Sequence, residues 1–324
     1  MASTSIKRLA DEARLPGDCG EAASLVRMAA GKWNPARYQQ FAAERLRPAL
    51  DLMARLPKLS AAQPAIADVG CGSGGPAKLL LQRFPSAKLL LIDSSPEMLE
   101  VARSDSALQG RQMVSFHCQR FEEHFSAQAG MNGPLYDCVF SNAALHYSTD
   151  VPSLLVRILE RVRPGGVLAM QIPDTRSQAS HVLMRELAAD FGLAPDDVAL
   201  PSHRNSPQEY AEKLMGPLCK DLDMWSTTYV HQLAPGESPV HDFLRFDGLR
   251  PVLDALGGEG SEAAVAFEEA YRRRVVDLYP PTSHGTTFFP FTRFFLVAKR
   301  PSLLDVYQEY SAYHDHQLTK GWKS

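Results

Sequence analysis

The chain has 324 residues, and its 34 lysines and arginines against 37 aspartates and glutamates give a formal net charge of −3. With 45% hydrophobic and 22% charged residues, the composition is that of a globular protein, which excludes disorder of the whole chain. The length predicts one or two domains. Because no global excess of positive charge is present to attract a phosphate backbone, a nucleic-acid-binding protein is disfavoured.

The five cysteines are odd in number and none has CxxC spacing, which predicts reduced thiols and no zinc site. The longest apolar runs are far shorter than the roughly 20 residues of a membrane-spanning helix. The first residues carry no apolar signal core. We therefore expect a cytoplasmic protein, a monomer or weak homodimer, that binds neither metal nor membrane.

In chain order, residues 1–30 form a mixed-charge extension without a clear period. A helix is predicted from Asn34, a good N-cap, to Leu56, because apolar residues recur there at helical spacing. Short apolar strands then alternate with helical stretches. The strands are predicted at 65–69, 88–92, 114–117, 138–141 and 167–172, and the helices at 76–83, 96–108 and 151–162. This alternation predicts a parallel sheet with right-handed crossovers.

Beyond residue 173 the pattern loosens. Helices are predicted at 178–191, 208–218, 240–256 and 262–278, and strands at 224–233 and 288–299. The sequence thus predicts an α/β fold, a doubly wound sheet of seven strands with the seventh antiparallel. The main domain would span residues 31–300, with helical cap insertions at about 174–221 and 237–285 and a tail at 301–324.

A glycine-rich segment, DVGCGSGG at residues 68–75, follows the first predicted strand. Glycines let the backbone turn tightly beneath a ligand. Gly70, Gly72 and Gly75 fit the GxGxxG loop of dinucleotide-binding proteins, whereas Gly70, Gly72 and Gly74 fit the acidic-x-GxGxG loop of methyltransferases. Both kinds of protein place an acid after the second strand to accept the ribose hydroxyls. The loop alone therefore leaves the two cofactors open.

Three further features favour the methyltransferase alternative. Asp68 precedes the glycines, where a carboxylate can hold the loop and the amino-acid part of the cofactor. Asp93 ends the second strand and is followed by Met98, which can lie against an adenine face or merely pack. A Pro-Gly-Gly turn at 164–166 precedes the fifth strand. From about residue 33 to residue 300, the chain resembles the class I S-adenosylmethionine-dependent methyltransferases.

This resemblance implies a cofactor site and an N-terminal flap formed by Lys32, Trp33, Asn34 and Tyr38. Gln119 stands where the family often places an acid against the adenine amino group, and the backbone of Asn142 would meet the methionine part. The implied cofactor-binding residues are Asp68, Gly70, Cys71, Gly72, Gly74, Asp93, Ser94, Met98, Gln119 and Asn142.

Longer strings resemble the trans-aconitate methyltransferases in particular, and they extend past residue 173 into the region where this fold carries its acceptor site. Ser226 departs from them, because members of the family carry a basic residue there. The strings lie at 33–35, 41–48, 92–96, 141–145, 166–174, 181–186, 225–232, 248–251 and 291–298. The resemblance implies esterification of one carboxylate of trans-aconitate or a similar small polycarboxylate.

Such an acceptor needs no general base, because a carboxylate with a pKa of about 4 is already ionised at neutral pH. Its other carboxylates need cations. Arg293 alternates with phenylalanines on one face of the last strand, where it must find an anion or reach solvent. A structural ion pair is the alternative role for this arginine.

The other acceptor-side candidates rest on position and resemblance, and each has a purely structural alternative in packing or solvation. We expect His181, His231, Tyr38 and Trp33 to contact the acceptor and His146 and Tyr229 to position it. Other functions remain open: a methyltransferase for another small acceptor, a nicotinamide-dependent oxidoreductase, or a catalytically silent binding protein.

Overall fold

The computed structural model describes residues 42–126, 133–194, 205–216, 218–245, 248–308 and 311. In this part of the chain, seven strands form one sheet in the order β3-β2-β1-β4-β5-β7-β6. The strands from β1 to β5 pair in parallel, and β7 is antiparallel to both of its neighbours. The predicted doubly wound α/β sheet is confirmed. The strands are β1 (Ala65–Val69), β2 (Lys88–Asp93), β3 (Val114–Cys118), β4 (Tyr136–Asn142), β5 (Val162–Pro173), β6 (Asp221–Leu233) and β7 (Thr287–Lys299).

Helices connect the strands, and several begin at a proline, whose fixed φ and missing N–H suit a first helical turn. Serine side chains cap others: the Ser95 hydroxyl accepts the Met98 N–H, and Ser206 and Glu209 form a capping box. The helices are α1 (Ala42–Ala54), α2 (Gly75–Arg83), α3 (Pro96–Ser104), α4 (Phe121–His124), α5 (Val151–Glu160), α6 (Ala179–Asp190), α7 (Pro207–Leu214), α8 (Pro239–Leu244), α9 (Arg250–Ala255) and α10 (Glu262–Leu278).

Each face of the sheet is covered by its own apolar core. On one face, α1, α2 and α3 pack against β1, β2 and the side chains of Tyr229, Phe295 and Val297. On the other face, α5 and α7 pack against β4, β5 and the side chains of Phe294 and Leu296. A two-sided apolar cover is what a parallel sheet requires, and it leaves the strand ends as the place for a ligand.

The strands β6 and β7 continue past the end of β5. The last residue of β5, Pro173, pairs with Arg293, and beyond it residues 228–233 pair with residues 287–292. A third apolar core holds α6, α8, α9 and α10 against this two-stranded extension through Leu233, Phe289 and Phe291. Helices α6, α8, α9 and α10 therefore stand above the carboxyl edge of the sheet, whereas α7 covers one of its faces. The predicted bounds of the cap insertions stay predictions.

Three predicted helices differ from the structure by more than two residues, and one of them, predicted at 208–218, ends at Leu214. The stretch 240–256 forms two helices, because Pro251 lies in the first turn of α9 and could not continue an earlier helix without losing a backbone hydrogen bond. The helix predicted to reach Leu108 ends at Ser104. There the Asp105 carboxylate accepts the Ala107 N–H at 2.9 Å, a local bond that competes with the helix.

Among the described helices, none is both long enough and apolar enough to span a bilayer. The N-terminal part of the first predicted helix, with Trp33 and Tyr38, lies outside the described residues.

Removal of a buried ring from the third core should cost far more stability than truncation of an exposed neighbour. Phe267 is fully buried, stacks with Tyr271 at a centroid distance of 6.3 Å and meets Phe191 edge-on, whereas Val265 on the same helix is 45% exposed. We expect Phe267→Ala to lower the free energy of unfolding by about 3–5 kcal/mol. Val265→Ala should change it by less than ~0.5 kcal/mol. Equal losses in denaturant titrations would contradict the assignment of this core.

Candidate functional site

The glycine loop after β1 is shaped by the close approach of β4. The N–H groups of Gly70 and Cys71 both donate to the Ile92 carbonyl, at 2.8 and 3.1 Å. Gly70 has φ 68°, and a Cβ atom at this position would lie 2.0 Å from the Cβ of Ala144. Glycine is therefore required at residue 70 by both conformation and space.

Gly72 and Gly74 have different surroundings. A Cβ atom on Gly74 would lie 2.7 Å from a methyl carbon of Leu108, so this glycine is needed for packing at the start of α2. Around Gly72, with φ 53°, no atom lies within 4 Å of the position a Cβ would take. The loop thus turns an open, side-chain-free stretch of backbone toward the crevice above the strands.

Asp93, at the end of β2, organises the same loop. One carboxylate oxygen accepts the Gly72 N–H at 2.8 Å and the other accepts the Ser95 N–H at 2.9 Å. Burial raises the pKa of Asp93, and these backbone donors oppose that rise by stabilising the carboxylate. Each oxygen keeps a further lone pair for a ligand. Exposed Ser94 and half-buried Met98 lie just beyond.

Asp68 is the most unusual group of the site. It is completely buried, and neither of its carboxylate oxygens has a hydrogen-bond partner within the described part of the chain. Burial, with a smaller contribution from the charge of Asp93, raises the pKa of Asp68 to about 8. Burial of an isolated carboxylate costs folding free energy unless the group takes up a proton or binds a cation. We therefore expect Asp68 to be protonated or to bind a cationic ligand.

The thiols beside Asp68 remain protonated. Burial and the nearby charge of Asp68 raise the pKa of the Cys71 thiol well above its usual value, and the pKa of Cys138 rises for the same reasons. A thiol without thiolate character is a poor nucleophile, so Cys71 contributes shape and backbone to the loop.

Gln119 follows β3 and is held from two sides. Its N–H donates to the Asp93 carbonyl at 3.0 Å, and its side-chain oxygen lies 3.2 Å from Nδ1 of His124. The other ring nitrogen of His124 lies 2.8 Å from the Tyr136 hydroxyl. Burial lowers the pKa of His124 to about 4, so this ring is neutral at pH 7. The Gln119 carbonyl is thereby engaged, and its NH₂ group is left to face a ligand.

The end of β4 forms the opposite wall. The side-chain oxygen of Asn142 accepts from the Gln171 amide at 2.7 Å, and the next residue, Ala143, has φ 56° although it is not a glycine. Strained backbone of this kind is concentrated at functional sites. His146 follows in a short 3-10 helix, 7% exposed, with its ring 4.3 Å from that of Tyr147.

These residues meet where the sheet reverses its order, between β1 and β4, which is the usual ligand crevice of open α/β sheets. S-adenosylmethionine fits this crevice on three grounds. Among the described residues, the buried carboxylate of Asp68 has no hydrogen-bond partner and nothing fills the space at Gly72, and Asp93 keeps lone pairs for a ligand. The donor set is anionic, which suits a ligand that carries positive charge.

On the acceptor side, Arg293 and Tyr229 lie on one face of the sheet, as the alternation predicts. Arg293 is 7% exposed, and its guanidinium carbon lies 4.5 Å from the centroid of the Phe291 ring. Tyr229 is the cross-strand partner of Phe291 and donates to Asp51 of α1 at 2.5 Å. Burial raises the pKa of Tyr229, and so does the Asp51 carboxylate that accepts the hydrogen bond of its hydroxyl.

The two predicted acceptor histidines lie in the third core, above Arg293. His181 is 5.8 Å from the Phe291 ring and its Nδ1 lies 3.2 Å from the Ser180 hydroxyl. His231 lies 6.4 Å from Phe291 and 5.1 Å from Phe243. Phe291 thus links both imidazoles to the Arg293 side of the crevice. Trp33 and Tyr38, the predicted flap residues, fall outside the described residues.

Sequence reasoning missed four residues that border the site: Arg47, Asp51, His124 and Gln171. Arg47 and Asp51 stand one turn apart on α1, away from its buried stripe of Ala49, Leu52 and Met53. That spacing was readable as a shared helix face. The pairing of His124 with Gln119 and of Gln171 with Asn142 had no local signal.

Comparisons with known proteins agree with this site. A family model described as a methyltransferase domain matches residues 62–220. The trans-aconitate 2-methyltransferase of Streptomyces coelicolor is 40% identical over 278 residues, which cover 83% of this chain and 87% of that protein. The trans-aconitate 2-methyltransferase of Methylobacterium nodulans is 39% identical over 271 residues, 83% of this chain and 98% of that protein. The chain therefore belongs to the trans-aconitate 2-methyltransferase family of S-adenosylmethionine-dependent methyltransferases.

Proposed function

We propose that the protein transfers a methyl group from S-adenosylmethionine to one carboxylate of trans-aconitate or a closely similar small polycarboxylate, which forms the monomethyl ester and leaves S-adenosylhomocysteine. The observation that carries this proposal is that two sides of one crevice require ligand groups of opposite charge. The buried carboxylate of Asp68 calls for a cationic ligand on the β1 side, and the buried guanidinium of Arg293 stands on the β7 side. The family membership supports the same assignment.

The donor half of the site is built from backbone and carboxylates. Asp93 can accept the two ribose hydroxyls with the lone pairs that Gly72 and Ser95 leave unused. Asp68 would lie toward the amino-acid end and take its positive charge. When bound, S-adenosylmethionine supplies an activated methyl group on a positively charged sulfur. The residues of the crevice orient that methyl group and exclude water from it.

The acceptor half positions a nucleophile that is already formed. A carboxylate is ionised at neutral pH, so the chain needs no general base. Alignment of two reacting groups can contribute on the order of 7–11 kcal/mol to lowering a barrier. In this account Tyr229 and His146 border the reacting carboxylate, and His181 and His231 shape the apolar wall through Phe291.

Arg293 holds a carboxylate that does not react. At an effective dielectric constant of 20, a charge pair about 4 Å apart is worth roughly 4 kcal/mol. Phe291 and Phe295 flank Arg293 along the strand and keep water away from such a pair. The reacting carboxylate should be free of bidentate arginine contacts, because these would weaken its nucleophilicity.

We also expect the protein to act in the cytoplasm as a monomer or weak homodimer. The support is that the cysteines among the described residues are free thiols, as a reducing compartment favours.

Asp93→Ala should abolish donor binding. It removes two charge-assisted hydrogen bonds to the ribose and two that hold the loop, so we expect the dissociation constant for S-adenosylmethionine to rise on the order of 100-fold or more in calorimetric titrations. Asp105→Ala is the matched control, because this aspartate pairs with Lys78 at 2.7 Å outside the crevice. A similar loss in both variants would assign the effect to general destabilisation.

Asp68→Asn should stabilise the free protein at high pH while it weakens donor binding. The unfolded chain releases the Asp68 proton near pH 3.8 and the folded protein near pH 8, so wild-type stability falls as pH rises between these values and levels off above. The neutral amide is not subject to this loss. The stability of the variant relative to wild type should therefore grow by a few kcal/mol from pH 5 to pH 9. A pH-independent difference in denaturant titrations would show that Asp68 is not a buried acid.

The acceptor assignment is tested with a labelled methyl donor and a panel of acids: trans-aconitate, cis-aconitate, citrate, tricarballylate and a monocarboxylate. We expect base-labile methyl esters, which distinguish carboxyl methylation from ether or amine methylation, with trans-aconitate among the best acceptors. Label in a base-stable product, or no transfer to any carboxylic acid, would contradict the proposal.

In the same assay, Arg293→Ala should raise the acceptor KM on the order of 10- to 100-fold, because one charge pair of the complex is lost. Donor affinity should be unchanged, and Arg293→Lys should recover part of the loss. If Arg293→Ala weakens the donor as much as the acceptor, the role given to Arg293 is wrong.

A further inference from the structure

Helix α1 presents two polar side chains to β6 that the reaction described above leaves unused. The guanidinium carbon of Arg47 lies 5.3 Å from the centroid of the Tyr229 ring. One turn later, Asp51 accepts the hydrogen bond of the Tyr229 hydroxyl at 2.5 Å. Tyr229 itself is 3% exposed, whereas Arg47 and Asp51 reach solvent. Helix α1 thus places one cationic and one anionic side chain above the aromatic surface of the sheet.

A second guanidinium lies over the neighbouring ring. Phe291 is the cross-strand partner of Tyr229, and Arg293 stacks on Phe291. Directly opposed residues of an antiparallel pair hold their Cβ atoms only about 4.5–5.5 Å apart. Burial is the largest effect on the pKa of Tyr229 and raises it, and the positive charges of both arginines oppose that rise. Two cations from two elements therefore stand over adjoining rings.

The acidic neighbour of Arg47 on α1 already accepts a hydrogen bond. Asp51 accepts from Tyr229, and in the described part of the chain no carboxylate lies within ion-pair distance of Arg47. A guanidinium that stacks on a ring keeps its N–H groups in its own plane, pointing away from the ring, where they can still bind an oxygen. Two cations over adjoining rings favour an anion with more than one carboxylate.

We propose that Arg47 is a second anion-binding residue of the acceptor site, and that the Tyr229–Asp51 hydrogen bond is a positioning element that sets its place relative to Arg293. This inference rests on the proposed function and specifies its substrate class. Arg47 and Arg293 each hold one carboxylate, which leaves a third carboxylate of the acceptor to receive the methyl group. The site therefore selects tricarboxylates over monocarboxylates.

The chain contains a matched control for Arg47. Arg55 lies just after the end of α1, two turns beyond Arg47, and stacks in the same way on β6, with its guanidinium carbon 4.9 Å from the Trp225 ring centroid. It differs in being paired with Asp223 at 3.1 Å. Arg47→Ala and Arg55→Ala each remove one exposed arginine from an aromatic ring, so they cost similar packing.

The experiment compares steady-state kinetics of both variants with trans-aconitate and with a monocarboxylate acceptor. We expect Arg47→Ala to raise the KM for trans-aconitate about 10-fold or more while kcat and donor affinity change less than about threefold. The monocarboxylate KM should barely change, so the preference for the tricarboxylate shrinks. Arg55→Ala should behave as wild type, and Arg47→Lys should recover part of the loss.

Tyr229→Phe tests the positioning role, because it keeps the ring beneath Arg47 and removes the hydrogen bond to Asp51. We expect a higher KM for trans-aconitate in the wild-type background and little further effect in the Arg47→Ala background, since a residue that acts through Arg47 is non-additive with it. Additive effects would show a separate structural role and overturn the positioning claim.

The outcomes separate this inference from the proposed function. If wild-type protein esterifies trans-aconitate and Arg47→Ala behaves like Arg55→Ala, only the role of Arg47 is overturned. Equal changes of KM for tricarboxylate and monocarboxylate would also overturn it. If wild-type protein esterifies no polycarboxylate, both the proposed function and this inference fall.

Discussion

The site depends on one constraint: near the end of β1, beside β4, a carboxylate is buried with no hydrogen-bond partner among the described residues. Asp68 is the last but one residue of β1, and the glycine loop that follows can pass beside Ala144 only because residue 70 has no side chain. The fold thereby keeps a negative charge, or the proton that replaces it, at the bottom of a crevice. A ligand with fixed positive charge relieves this cost, which ties donor choice to the architecture of the sheet.

The opposite charges stand on a separate part of the fold. Because β6 and β7 extend past β5, their side chains lie above the carboxyl edge, where α1 and the third core enclose them. Arginine side chains lie over aromatic rings on this acceptor side, whereas the donor side is lined by backbone without side chains. A cationic donor and an anionic acceptor are thus drawn to adjoining surfaces, and their charges are lost together as the methyl group moves.

Much of this was readable from the sequence, because it depends on local patterns. Strand periodicity, the glycine loop and Asp93 gave the sheet and the donor side, and period-two alternation put Arg293 on the face of Phe291 and Phe295. The break between α8 and α9 was missed because an apolar helical period outweighed Pro251. The contact of Asp51 with Tyr229 joins residues 178 positions apart, so no local pattern could reveal it.

The central claim is that this crevice binds a sulfonium donor and not a nicotinamide dinucleotide, whose loop spacing is nearly the same. Calorimetric titration of the full chain with S-adenosylmethionine and, separately, with NAD tests it most directly. The account predicts one bound S-adenosylmethionine per chain and no heat from NAD. Binding of NAD with none of S-adenosylmethionine would contradict it.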